Sequence, residues 1–141
     1  MMRAFSPNSL TKPKGSVFLN LPPHFFDGPT PVDLEIGAGV GWHAITYAQQ
    51  NPLRRLIAIE RTKNKFEQLV RRMQQHPPLP QLYPIHSDIV PWSVYHLPES
   101  SIDQFFIFYP NPYPKIHRRV FLKCPFLNTC SKRGNLKRSY I

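Results

Sequence analysis

The sequence predicts an α/β protein built on an open parallel sheet. Short apolar segments rich in β-forming residues alternate with helical patterns, as expected for right-handed βαβ units. The strand segments show almost no polar alternation, which is typical of parallel strands covered on both faces. The chain has 141 residues, the length of one domain. We divide it into a proline-rich arm (1–30), a folded domain (31–134) and a basic tail (135–141).

The first half of the domain contains two strand–helix pairs. Residues 31–36 form a strand that glycines stop, and a helix follows over about 41–50, before Asn51-Pro52. Residues 55–60 form a second buried strand. The next helix is indicated by apolar residues at i, i+3, i+4 and i+7, namely Phe66, Leu69, Val70 and Met73.

The second half is predicted to contain two more strands and one helix. Residues 81–86 form a strand that belongs at an edge or a bulge, because Pro84 cannot donate a ladder hydrogen bond. Residues 102–108 form a fourth strand. A helix is expected from Ile116 to about Arg133, with Gly134 as its cap. The tail could supply the stub of a fifth strand.

The charge balance points to a polyanionic partner. The chain carries 18 Lys and Arg against 8 Asp and Glu, a net charge of +10, which favours nucleic acid in a small domain. A basic surface kept only for solubility is the alternative. Two cysteines provide neither a disulfide framework nor a metal site, so no metal is expected. No apolar run has the length of a membrane span or a signal peptide, so we expect a cytoplasmic protein.

Acidic residues and glycines follow three of the predicted strands. Glu35 stands beside Gly37 and Gly39, Glu60 ends the second strand, and Asp88 follows the third. The carboxyl ends of parallel strands meet at one rim, where ligands bind. The loop reads G-x-G-x-G, not the G-x-G-x-x-G of dinucleotide sites. A carboxylate there would also repel a pyrophosphate. These residues therefore predict S-adenosylmethionine, a cationic nucleoside without phosphate.

Each acid has a chemical reason to contact this cofactor. Glu35 and the glycine backbone would face the methionine end, the Glu60 carboxylate would accept from the ribose diol, and Asp88 would accept from the adenine amino group. The alternative for the glycines is a simple turn between strand and helix. For Asp88 the alternative is an N-cap before Ile89. Two other acids, Asp33 and Glu67, are expected to be structural or surface residues.

Two groups of motifs resemble a known family. Residues 34–41, 58–61 and 87–88 resemble the class I S-adenosylmethionine-dependent methyltransferases. Residues 108–120, Phe-Tyr-Pro-Asn-Pro-Tyr-Pro-Lys-Ile-His-Arg-Arg-Val, are similar to the F-P-D-P-W-x-K…R-R signature of the bacterial tRNA (guanine-N7)-methyltransferases. The resemblance implies a Rossmann-like open sheet, S-adenosylmethionine as the cofactor, tRNA as the partner, and methyl transfer to guanine N7.

The resemblance also assigns roles around residue 111. Asn111 matches the family's Asp and is the expected catalytic and cofactor-binding residue. Lys115 matches a basic residue that contacts tRNA. Three more residues are predicted to bind the substrate, with the basic ones contacting phosphate and the tyrosine stacking on a base: Tyr113, Arg118 and Arg119.

The family continues through three more strands after the fourth, and this sequence stops near the start of the fifth, so we expect the C-terminal strands to be missing here. Two alternatives to an active enzyme stay open at this point: an inactive truncated remnant, and a basic RNA-binding module of the same fold. A second copy of the chain or a partner chain that completes the sheet is also compatible with the sequence.

Overall fold

A computed structural model describes residues 21–107 and 136–138. They form a five-stranded parallel sheet with strand order β3-β2-β1-β4-β5. The strands are β1 (Val32–Ile36), β2 (Arg55–Glu60), β3 (Leu82–His86), β4 (Gln104–Ile107) and β5 (Leu136–Arg138). The helices are α1 (Trp42–Gln50), α2 (Lys63–Gln74) and α3 (Ile89–His96). The predicted parallel α/β fold is confirmed.

Strand order places β1 at the point where the chain changes direction across the sheet. β2 and β3 lie on one side of β1, and β4 and β5 lie on the other. In open parallel sheets the crevice at such a switch point, above the carboxyl ends of the strands, is where ligands bind. The glycine loop that follows β1 lies at this crevice.

Two apolar cores cover the two faces of the sheet. Successive residues of a strand point to opposite faces, so Leu34 and Ile57 pack with Trp92 of α3, while Ala58 packs with α1 and α2 on the other face. β1 is buried throughout, and β2 is buried from its second residue. This two-sided cover accounts for the continuous apolar character of these strands.

The third strand lies at an edge of the sheet, as Pro84 predicted. Gln81 O accepts from Leu56 N and Ser87 N donates to Glu60 O, so residues 81 and 87 direct their backbone groups toward β2. Backbone direction alternates along a strand, and residue 84 therefore faces away from β2. The missing N–H of Pro84 costs no hydrogen bond within the sheet.

The helix α3 was not predicted from the sequence. Its eight residues are apolar nearly all round and include Val90, Pro91 and Val94, which do not form a clear 3.6-residue pattern. Its start is fixed by Asp88, whose Oδ1 accepts from Val90 N at 3.0 Å. Pro91 is tolerated because it stands in the first turn. None of the three helices in residues 21–107 has the length and apolar character needed to cross a bilayer.

Residues at both ends of the described chain join the folded unit. Phe25, within the predicted arm, is 4% exposed and packs in the core beside Trp92 and Ile102. The packed unit therefore begins before residue 30. Leu136–Arg138, within the predicted tail, pair in parallel with β4 and supply the expected fifth strand. The helix expected over 116–133 lies outside the described residues.

Candidate cofactor site

The loop after β1 is anchored to the end of β2. Gly37 N and Ala38 N both donate to Ile59 O, at 2.9 and 3.0 Å. Gly41 has a φ of +92°, and a Cβ there would overlap the Leu69 Cδ1 methyl of α2. Glycine suits this position because it adopts the positive φ without strain and leaves room for Leu69. Gly39, at a φ of +60°, has open space where its Cβ would lie, and this part of the loop can approach a ligand.

Glu60 holds the glycine loop through its carboxylate. One oxygen, Oε2, accepts from Gly39 N at 2.7 Å, and Oε1 accepts from Thr62 N at 2.8 Å. The residue is 4% exposed. Each carboxylate oxygen has a second lone pair, so both can accept one more hydrogen bond. Glu60 thus links the β1 loop to the β2–α2 junction, and its contact with a ribose diol stays a prediction.

Glu35 is a buried carboxylate with one oxygen unsatisfied. The residue is 1% exposed, and its Oε1 lies 3.2 Å from His43 Nδ1. Its Oε2 is buried and has no hydrogen-bond partner among the described residues. Burial raises the pKa of Glu35, and the hydrogen bond and attraction of His43 oppose that rise. A buried acceptor without a donor is costly, and a ligand that brings a cationic donor would remove this cost.

The structure brings Glu35 and Glu60 to the same face of the sheet. Glu35 pairs with Ala58 in the β1–β2 register, and Glu60 follows Ala58 by two residues. Residues two apart on a strand share a face, so both carboxylates lie on the α1 and α2 side, next to the glycine loop. A cationic group held against Glu35 and a neutral polar group held against Glu60 match the amino and ribose groups of the predicted S-adenosylmethionine. The described residues therefore fit this cofactor.

Asp88 lies at the same rim, at the end of β3. Ser87 N donates to Glu60 O at 3.2 Å, which places the β3 end directly beside β2. The Asp88 side chain is exposed and caps α3 through Val90 N. The capping role proposed as the alternative is present. Because only Oδ1 of Asp88 caps the helix, Oδ2 can still accept from an adenine amino group, and that contact stays a prediction.

A polar ladder between β1 and α1 supports the site. Asp33 is fully buried and accepts from Tyr47 OH and from Arg54 Nε, both at 2.7 Å. Arg54 also pairs with Asp103. Burial, and then Asp33, raise the pKa of Tyr47. Asp33 is therefore the structural acid that the sequence predicted.

The ladder works because two spacings coincide. Residues 33 and 35 are about 6.6 Å apart along a strand, and residues 43 and 47 are about 6 Å apart along a helix. Glu35 therefore meets His43 where Asp33 meets Tyr47, and the His43 and Tyr47 rings stack with centroids 5.7 Å apart. Sequence analysis missed His43, since nothing in the chain marks which helical residue will face Glu35.

A family model described as "Putative methyltransferase" matches residues 29–133. The chain belongs to this methyltransferase family. The match covers the glycine loop, Glu35, Glu60 and Asp88 together with the segment around residue 111.

Curated relatives of the chain carry a narrower name. The tRNA (guanine-N(7)-)-methyltransferase of Roseobacter denitrificans is 33% identical over 112 residues, which cover 78% of this chain and 47% of the relative. The enzyme of the same name from Bartonella henselae is 31% identical, with 80% of this chain and 49% of the relative covered. The chain thus spans about half the length of the curated relatives it matches.

Solved structures share the fold of the chain. The 16S rRNA methyltransferase KamB superposes with a TM-score of 0.54 at 22% identity, covering 72% of this chain and 47% of that one. Coclaurine N-methyltransferase, bound to N-methylheliamine and SAH, gives a TM-score of 0.57 at 14% identity, covering 79% and 31%. At these identities the likeness extends to the fold alone.

The remaining predicted site residues lie outside the described residues: Asn111, Tyr113, Lys115, Arg118 and Arg119. Two cavities, of about 400 and 320 Å³, lie at the opposite, amino-terminal edge of the sheet, near Phe25 and Arg55. They do not include the rim. Within residues 21–107 and 136–138, no group of three or more His, Cys, Asp or Glu side chains could hold a metal ion.

Proposed function

We propose that the chain transfers a methyl group from S-adenosylmethionine to guanine N7 in tRNA. The observation that carries the proposal is the Glu35 carboxylate. It is buried at the switch point of the sheet, beside the glycine loop, with one oxygen that lacks a donor among the described residues. The names of the curated relatives support methyl transfer to tRNA guanine.

The described residues would bind and orient the cofactor. Glu35 would accept from its amino group, the open backbone at Gly39 would face its methionine end, and the free lone pairs of Glu60 would accept from its ribose. When bound, S-adenosylmethionine supplies an electrophilic methyl group on a sulfonium. Because Glu60 holds the loop through Gly39 N, the chain itself fixes the loop that would contact the cofactor.

Guanine N7 needs little chemical activation. It carries a lone pair and no proton, so no general base has to create the nucleophile. The chain's task is to hold N7 in line with the methyl group, and positioning supplies most of the acceleration. We assign this task to Asn111, whose side-chain amide offers both a donor and an acceptor to the guanine edge.

The tRNA would be held by basic side chains. The net charge of +10 favours a polyanion, and Lys115, Arg118 and Arg119 are proposed to contact phosphates while Tyr113 stacks on the base. Such a substrate is consistent with the proposed cytoplasmic location.

The test combines methyl transfer with cofactor binding. The full chain is incubated with unmodified tRNA and S-adenosylmethionine labelled in its methyl group, and the tRNA nucleosides are then identified by mass spectrometry. Calorimetry measures the binding of S-adenosylhomocysteine to the same protein. The proposal expects N7-methylguanosine and a measurable heat of binding. Methylation of another nucleoside, or folded protein that neither binds nor methylates, would overturn it.

Matched variants of acidic residues make the test specific. Glu60→Ala removes the acceptor of Gly39 N and Thr62 N and should abolish methyl transfer and weaken cofactor binding by at least about 10-fold, because charged acceptors contribute about 1.5–3 kcal/mol each. Glu67→Ala removes an equal charge from the exposed side of α2 and should change neither quantity. No methyl transfer, together with tRNA affinity that Glu60→Ala leaves unchanged, would instead favour the RNA-binding alternative.

A further inference from the structure

An exposed tryptophan stands directly after the glycine loop. Trp42, the first residue of α1, is 67% exposed. The guanidinium carbon of Arg72 lies 3.6 Å from the centroid of its ring, and Arg72 Nε donates to Val40 O at 3.0 Å. Arg72 thus fixes one side of the ring and ties it to the loop. Most of the indole surface therefore lies in water. The ring is not part of either apolar core, so core packing does not explain it.

The side of α2 next to Trp42 is basic and free of acids. Lys65 precedes Arg72 by seven residues, or about two helical turns, so both lie on one side of α2. The one acidic residue of α2, Glu67, lies on another side, where its carboxylate is 4.0 Å from Lys63 Nζ. No acid on this side of α2 therefore balances the positive charges of Lys65 and Arg72.

We propose that Trp42, Arg72 and Lys65 form a binding platform for an unpaired nucleotide of the RNA substrate, with the base stacked on the indole and the phosphates beside the two basic side chains. This inference rests on the proposed tRNA substrate and adds a contact surface outside the segment around residue 111. An RNA base offers the planar face that an exposed aromatic ring can stack on, and Arg strengthens such stacks.

The platform is placed so that it can act together with the site. Val40, which accepts from Arg72, belongs to the same loop whose Gly39 N donates to Glu60. RNA bound at Trp42 therefore lies at the edge of the rim where methyl transfer is proposed. An acidic peptide could pair with the same basic side chains, but its carboxylates would not stack on the exposed indole.

The fluorescence of the two tryptophans can report binding at the platform, because only Trp42 is exposed. Trp92 is 1% exposed, and Trp42 is 67% exposed. Titration of the full chain with tRNA and with a short single-stranded oligoribonucleotide should quench the emission of Trp42. Polyglutamate, which has charge but no bases, should leave the emission unchanged. Equal quenching by polyglutamate would overturn the proposal, because the signal would then report charge alone.

Affinity for end-labelled tRNA, followed by fluorescence anisotropy, tests the residues. Trp42→Ala should weaken binding about 5-fold or more, the loss expected for one stacked base, and Trp42→Phe should recover part of it. Lys65→Ala should lower the salt dependence of binding by about one phosphate contact. Lys63→Ala removes the same charge two residues away, on the side that faces Glu67, and should leave the salt dependence unchanged.

The outcomes separate this inference from the proposed function. Wild-type protein that does not bind tRNA overturns both. Wild-type binding that Trp42→Ala does not weaken, or equal effects of Lys65→Ala and Lys63→Ala, overturns the platform and leaves tRNA methylation standing. If Trp42→Ala lowers the thermal midpoint, the lysine pair decides, since both lysines are on the surface of one helix.

Discussion

The Glu35→Gln substitution should make the protein more stable and a poorer cofactor binder at the same time. It keeps the size of the side chain and removes the buried charge. In the folded chain, burial raises the pKa of Glu35, so the folded state binds a proton more tightly than the unfolded chain does. The carboxyl therefore favours folding most when it is protonated, and this contribution is lost as the pH rises through the raised pKa.

The stability change follows from the contacts of the carboxylate. Only Oε1 has a partner among the described residues, at 3.2 Å, while Oε2 is buried and unsatisfied. Leaving a buried acceptor unsatisfied costs about 1–3 kcal/mol. An amide leaves one polar atom in the same place, so the lower figure applies. We expect Glu35→Gln to raise the free energy of unfolding by about 1 kcal/mol at pH 7, and the gain should shrink toward zero near pH 4.

The binding change has the opposite sign. A neutral amide replaces the charged acceptor proposed for the cofactor amino group, and loss of a charge-assisted hydrogen bond of about 1.5–3 kcal/mol weakens binding about 10-fold or more. Urea unfolding at both pH values and calorimetry with S-adenosylhomocysteine measure the two effects. Glu67→Gln, an exposed acid, serves as the control. A variant that is less stable at pH 7, or that binds with unchanged affinity, would refute this account of Glu35.

Two further substitutions test the supports of the site. Asp33→Asn weakens the buried acceptor of Arg54 and Tyr47 and should lower the free energy of unfolding by about 3 kcal/mol in urea titrations. Breaking a buried ion pair costs about 3–5 kcal/mol, and the lower figure applies because Arg54 keeps its ion pair with Asp103. A loss below about 1 kcal/mol would contradict the role of the ladder. Gly41→Ala should lower the thermal midpoint, because a φ of +92° costs alanine about 1–2 kcal/mol and its methyl meets Leu69; an unchanged midpoint would show that the loop relaxes freely.

The fold was largely predictable because its determinants are local. The apolar runs of β1 and β2, the glycines between β1 and α1, and the apolar stripe of α2 each specify one element. Pro84 restricted β3 to an edge or a bulge, and β3 lies at an edge. The helix α3 has no clear helical periodicity because it is apolar nearly all round, and its one signal is Asp88, an N-cap residue before an apolar run that also suits a ligand-binding role. The burial of Phe25 was not predictable because it depends on tertiary contacts alone.

The site was predictable to a smaller extent. Strand ends share a rim in any parallel sheet, so the meeting of Glu35 and Glu60 near the glycine loop followed from their positions. The contacts of those carboxylates did not follow. That Glu60 accepts from Gly39 N, that Glu35 faces His43, and that an arginine 30 residues after Trp42 lies on its ring are consequences of helix rotation and packing. No spacing within the sequence records them.

The outward direction of Pro84 bears on how copies of this chain could associate. A sheet grows between molecules when an incoming strand finds a row of backbone donors and acceptors along an exposed margin. β3 has five residues, of which only residues 82, 84 and 86 direct their backbone groups outward, and position 84 lacks the donor. Strand addition from a second copy of the chain is therefore disfavoured at this margin of the described sheet.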